Sequence, residues 1–174
     1  GVFFVDLAPV GDVELVSATM ASACGVPLGE GAGLSGDSSD DRLVAALARR
    51  TSLVIVDNCE HLLEAVATLV DRILAECPDI HVLATSREAL GVEGEQIVPV
   101  PSLALPDDAM LSPAQAEAHD AVRLFVERSR SVKPGFTLGA ENRAAVVDVC
   151  RRQDGIPLAI GFAAARVAHL SVQQ

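Results

Sequence analysis

Short apolar runs alternate along the chain with stretches whose hydrophobic residues recur at helical spacing. Val2-Phe3-Phe4-Val5 predicts a buried strand, turned at Ala8-Pro9. Asp12 then caps a helix in which Val13, Val16, Met20 and Ala23 share a face, and Gly25 with Pro27 stops it. A Gly-, Ser- and Asp-rich loop is expected from Gly29 to Ser39. It follows a helix and contains no lysine, so it does not suit a phosphate cradle. Ser39 or Asp40 caps a second helix, Asp41 to Arg50. Leu53-Val-Ile-Val56 predicts a strand buried on both faces that delivers Asp57 to its carboxyl end. Leu62, Val66, Leu69 and Ile73 stripe the next helix, which Pro78 ends. Ile80 to Thr85 predicts another strand, and Gln96 to Val100 a further one, its Pro99 placing it at a sheet edge.

The proline-rich stretch from Pro101 to Pro113 predicts a linker, and everything beyond it reads helical. Val122, Phe125, Val126 and Ser129 line one helix, and Ala145, Val146, Val149 and Cys150 another. Asp154-Gly155-Ile156-Pro157 breaks the chain, with Pro157 suited to the first turn of a last helix, Leu158 to His169. Strands alternating with helices, followed by helices alone, predict an α/β fold: a parallel sheet with a small helical subdomain. The divisions expected are residues 1–106, a linker at 107–116, and helices over 117–174.

Composition narrows the functions. The net charge of −11 argues against direct binding of nucleic acid or an anionic membrane by this segment. Residues 1–110 carry 18 acidic and 5 basic residues, whereas 111–174 carry 6 and 8, a shift that fits two parts. Lys133 is the sole lysine, so no phosphate-loop lysine can be placed here. Cys24, Cys59, Cys77 and Cys150 form no metal-ligand spacing and are expected to be reduced, packed thiols of a cytoplasmic protein. No apolar run reaches the length of a membrane span.

The candidate chemistry lies at two strand ends. A carboxylate at the tip of a strand, Asp57, suits Mg²⁺ with nucleotide phosphates beyond it, although a polar strand end also serves simply to cap the next helix. Arg87, just past Thr85-Ser86, should lie at the same sheet edge, where a guanidinium would meet a terminal phosphate.

The segments Leu53-Val-Ile-Val-Asp-Asn-Cys-Glu-His-Leu62, Leu83-Ala-Thr-Ser-Arg-Glu-Ala-Leu90, and Asp154-Gly-Ile-Pro-Leu-Ala159 with Ala163-Ala-Ala-Arg-Val167 occur in a telling order. In order and spacing they resemble the NB-ARC branch of the STAND signal-transduction ATPases, most closely the ATPase regions of bacterial LuxR-type and AfsR/SARP-like transcriptional regulators. The resemblance implies a P-loop NTPase-like core, here incomplete, followed by an ARC-type helical subdomain that clamps the nucleotide. It implies that Asp57 is the Walker B acid near Mg²⁺ and Arg87 the sensor 1 arginine, with Asn58 and Thr85 beside them. Gly155 and Pro157 would form the GLPL-type turn near the adenine, although the same residues also suit a plain helix corner.

The matching departures are expected to matter. The family's first strand and its G-x-x-x-x-G-K-[S/T] loop have no counterpart, so the chain is expected to be a piece of something longer, cut before a winged helix, and to bind nucleotide poorly alone. Asn58 stands where a second acid could polarise water, and Glu60 is expected to point elsewhere, so at most slow ATP hydrolysis is expected. The function expected is an ATP- or ADP-binding regulatory switch whose partners are flanking regulatory and DNA-binding domains. The alternative is a degenerate, non-catalytic scaffold for packing or self-association.

Overall fold

The computed structural model describes residues 1–27, 38–107 and 111–168. The expected loop from Gly29 falls outside the described residues up to position 37, as do positions 108–110 of the expected linker and the chain from His169 on. Two compact units divide the chain, Gly1–Val98 and Pro99–Gln174.

The first unit is α/β. Strand β1 (Val2–Asp6) leads through a 3-10 turn (Val13–Leu15) into α1 (Val16–Ala23); α2 (Ser39–Leu47), β2 (Ser52–Asp57), α3 (Leu63–Glu76) and β3 (Ile80–Ala84) follow. The strands form a parallel sheet in the order β1-β2-β3. Register puts Phe3, Val54 and Val82 in one row and Val5, Val56 and Ala84 in the next, all on one face. Met20 from α1, Leu43 and Leu47 from α2, and Val66, Leu69 and Ile73 from α3 share one buried core with that face. Each fully buried aliphatic side chain of this kind contributes about 1.5–3 kcal/mol, so this single seam holds the unit together.

The opposite face is open. Its rows are Val2, Leu53 and His81, then Phe4, Ile55 and Leu83, and Val2, Phe4 and Leu83 are 67, 58 and 54% exposed. Strand β2 is therefore not buried on both faces as its unbroken apolar run predicts. Its residues alternate between buried and half-buried because the helices of this unit cover one side only.

Two further expectations are corrected. Gln96 to Val100 forms no strand: among the described residues it has no ladder partner, Pro99 cannot donate, and Ile97, Val98 and Val100 are largely solvated. The cap of α2 is Ser38 rather than Ser39 or Asp40. Its hydroxyl accepts from the Asp41 N–H at 3.2 Å, while the Asp41 carboxylate accepts from the Ser38 N–H at 2.9 Å, a reciprocal capping box. Asp12 caps its turn as expected.

The second unit is helical: α4 (Pro113–Glu117), α5 (Asp120–Val132), α6 (Arg143–Arg152) and α7 (Pro157–Ala165), closed by a 3-10 turn (Arg166–Ala168). Phe125 and Val126 of α5, Val146 and Cys150 of α6, and Ile160 and Ala164 of α7 make its core. Phe125 meets Phe136 edge-on, with ring centroids 6.2 Å apart. The proline-rich stretch does not run free. The Leu103 N–H donates to the Gly155 carbonyl at 2.9 Å, Ala104 accepts from the Ala121 N–H, and Arg151 donates to the Pro106 carbonyl at 2.6 Å, docking this segment on the helices.

Candidate functional site at the strand ends

Parallel pairing brings the carboxyl ends of β2 and β3 together, and their ladder continues beyond the strands. The Thr85 N–H donates to the Val56 carbonyl at 2.9 Å and the Cys59 N–H to the Thr85 carbonyl at 3.0 Å. Asp57 and Thr85 consequently sit side by side. The Thr85 hydroxyl donates to Asp57 Oδ1 at 2.5 Å and accepts from the Asn58 N–H at 3.0 Å. One hydroxyl thus fixes both the carboxylate's rotamer and the backbone that follows it.

That backbone is unusual. Asn58 has φ 65°, the left-handed region that asparagine tolerates better than most residues. Its side-chain amide lies 3.2 Å from His61 Nδ1, and His61 Nε2 lies 2.7 Å from the Val10 carbonyl. A carbonyl only accepts, so Nε2 carries the proton and Nδ1 accepts from the amide. Asn58 is thereby tied to the loop after β1.

Arg87 continues the same edge. Its Nε donates to Glu60 Oε1 at 3.0 Å, with the arginine side chain 84% exposed and the glutamate 19%. Glu60 is thus held at this edge by its bond to Arg87. Asp6, the last residue of β1, stands in register with Asp57 of β2 and accepts from the Ala8 N–H at 2.9 Å. Sequence reading passed over Asp6 and His61. The signal for Asp6 was available, since it too ends an apolar strand, whereas His61 is recognisable only once its carbonyl partner is near.

Gly155 and Pro157 belong to the helical unit. Asp154 and Gly155 both have positive φ, 50° and 68°, and end α6, while Pro157 opens α7 as expected and is exposed. A Cβ on Gly155 would fall 2.4 Å from the Leu103 carbonyl oxygen, so the corner demands glycine on both conformational and steric grounds.

Two groups at the strand ends are open to a further partner. Among the described residues, Asp57 Oδ2 has no partner, and the two terminal nitrogens of Arg87 have none. Mg²⁺ commonly takes only one or two carboxylates and completes its shell with water and phosphate oxygens, so the absence of any three-ligand cluster among the described residues is compatible with it. A shallow groove of about 440 Å³ on the helical side, lined by Glu14, Ser17, Asp40, Glu64 and Thr68 among others, includes none of these residues.

All four cysteines are free and buried, as expected of packed thiols. Burial, helped by the nearby Glu60 and Asp57 charges, pushes the Cys59 thiol up to about 11, which keeps it unreactive beside the site.

Comparison with known proteins matches the chain to a region of much longer ones. It is 46% identical over 171 residues, 98% of its length, to a Mycobacterium tuberculosis protein named as an HTH-type transcriptional regulator, and equally to its Mycobacterium bovis counterpart. The chain is homologous to a region of these regulators. It spans 18% of their length. An uncharacterized Mycobacterium tuberculosis protein is 40% identical over 166 residues, and the match covers 38% of that protein. No protein-family profile matches the chain, and no solved structure does. The NB-ARC likeness accordingly rests on the three motifs themselves. No helix among the described residues is long and apolar enough to cross a membrane.

Proposed function

We propose that this chain is the nucleotide-responsive segment of a transcriptional regulator, taking ATP or ADP with Mg²⁺ at the carboxyl edge of its sheet. The observation that carries the reading is the joining of Asp57, Thr85 and Asn58 by one hydroxyl, with Arg87 held at the same edge by its side-chain bond to Glu60. Its occurrence in a chain homologous to a region of HTH-type regulators supports a role in transcription control.

The open oxygen of Asp57 would hold the cation, and the terminal nitrogens of Arg87 would face the last phosphate. Mg²⁺, when bound, supplies charge that offsets the phosphate oxygens. Thr85 keeps Asp57 from rotating away. Glu60 is engaged by Arg87 and Asn58 is an amide, so neither activates the attacking water, turnover is slow and the segment acts as a switch. Flanking domains of the longer protein, including its DNA-binding part, would receive the signal, as would a neighbouring copy in a self-associating assembly. The resemblance adds Gly155 and Pro157 as candidates beside the adenine.

A packing scaffold is the second reading, favoured by the open apolar sheet face at Val2, Phe4 and Leu83. Titration of fluorescent ADP with Mg²⁺ into the intact natural protein that carries this segment separates the two. Saturable binding is expected, weakened about ten- to a hundredfold by Arg87→Ala, the worth of a charged hydrogen-bonded contact. Asp57→Asn should abolish its Mg²⁺ dependence, and Pro157→Ala tests the helical unit. Absence of saturable binding would leave the scaffold.

A further inference from the structure

The Glu60–Arg87 pair has a geometry that a simple surface salt bridge does not require. Glu60 takes the inner nitrogen, Nε, and leaves the end of the guanidinium open. The glutamate is largely enclosed while the arginine is almost fully solvated, so Glu60 is the fixed member of the pair. Its place is set by the backbone bond from Cys59 to Thr85 immediately before it and by the start of α3 after it.

We infer that Glu60 is a positioning residue that aims Arg87, presenting its two terminal nitrogens to a pair of oxygens on the terminal phosphate of the nucleotide. This rests on the nucleotide reading above and names a residue that acts at that site only through Arg87. An unpinned arginine at this exposure would have to be immobilised when phosphate arrives, which weakens binding by about two- to tenfold for one such side chain. Glu60 orders it beforehand. The carboxylate also opposes an incoming anion, but at a solvated edge that repulsion is screened, so orientation outweighs it. The two contributions can be separated chemically: glutamine keeps the acceptor for Nε and removes the charge, whereas alanine removes both.

The test is a double-mutant cycle on the intact natural protein, reading affinity for fluorescent ATP with Mg²⁺ in wild type, Glu60→Ala, Glu60→Gln, Arg87→Ala and Glu60→Ala/Arg87→Ala. Expected are a two- to tenfold loss in Glu60→Ala, wild-type or tighter binding in Glu60→Gln, and a double variant no weaker than Arg87→Ala alone. If Arg87→Ala weakens binding while Glu60→Ala binds as tightly as wild type or tighter, Glu60 only competes with phosphate and the inference fails. Additive losses in the double variant would also overturn it, since Glu60 would then act elsewhere. If Arg87→Ala leaves affinity unchanged, the nucleotide reading of this edge falls together with the inference.

Discussion

Asn58 and Gly155 are the two positions where the backbone itself states what it needs. Asn58 holds φ 65° with its N–H on Thr85 and its amide on His61, so a polar side chain offsets the cost of the left-handed region. Gly155 has no such option, because any Cβ collides with Leu103. Gly155→Ala is therefore expected to destabilise the helical unit by about 2–3 kcal/mol, combining the conformational and steric costs. Denaturant unfolding checks this, and an unchanged midpoint would show that the corner relaxes freely. The strand end at Asp57 and Thr85 and the helix corner at Gly155 and Pro157 were legible in the sequence because each closes an apolar or periodic run. The pairing of Glu60 with Arg87 was not, since it joins residues 27 apart and depends on strand register that no local pattern encodes.

At the scale of elements, α2 and α3 show how one carboxylate serves two purposes. Asp41 completes the capping box of α2 and pairs with Arg72 of α3 at 2.6 Å. The Arg72 bond, with those from Ser38, holds its carboxyl down at about 2. A carboxyl depressed in the folded state stabilises above its unfolded value, near 4, and loses that contribution as pH falls toward 2. Asp41→Asn is thus expected to melt earlier than wild type at pH 7, with the gap closing between about pH 4 and pH 2. A gap independent of pH would mean that the charge is irrelevant. The α2 cap was misplaced from sequence because Ser38, Ser39, Asp40 and Asp41 are all competent capping residues, and only the reciprocal bond selects among them. The strand expected at Gln96 to Val100 had the right side chains, yet β-propensity expresses itself only where a neighbouring strand offers a ladder.

Over the whole molecule, alternation of strands and helices correctly implied a parallel sheet followed by helices. An apolar run cannot report which of its faces will be covered, and β2 is therefore where pattern and structure part. Parallel sheets are ordinarily covered on both faces, so the open face at Val2, Phe4 and Leu83 is an adhesive surface when this chain is isolated. Phe4→Ser with Leu83→Ser is expected to reduce binding of a hydrophobic dye without lowering the melting temperature; unaltered dye binding would place the apolar surface elsewhere. The central claim concerns the sheet's carboxyl edge, and the groove at Glu14, Asp40 and Glu64, which includes none of its residues, serves as the comparison. The most direct measurement replaces Mg²⁺ with paramagnetic Mn²⁺ in the presence of ATP and follows the backbone amide resonances of this segment, isotope-labelled within the intact natural protein. Selective broadening at Asp57, Asn58, Thr85 and Arg87 is the expected result, and broadening confined to Glu14, Asp40 and Glu64 would contradict the account.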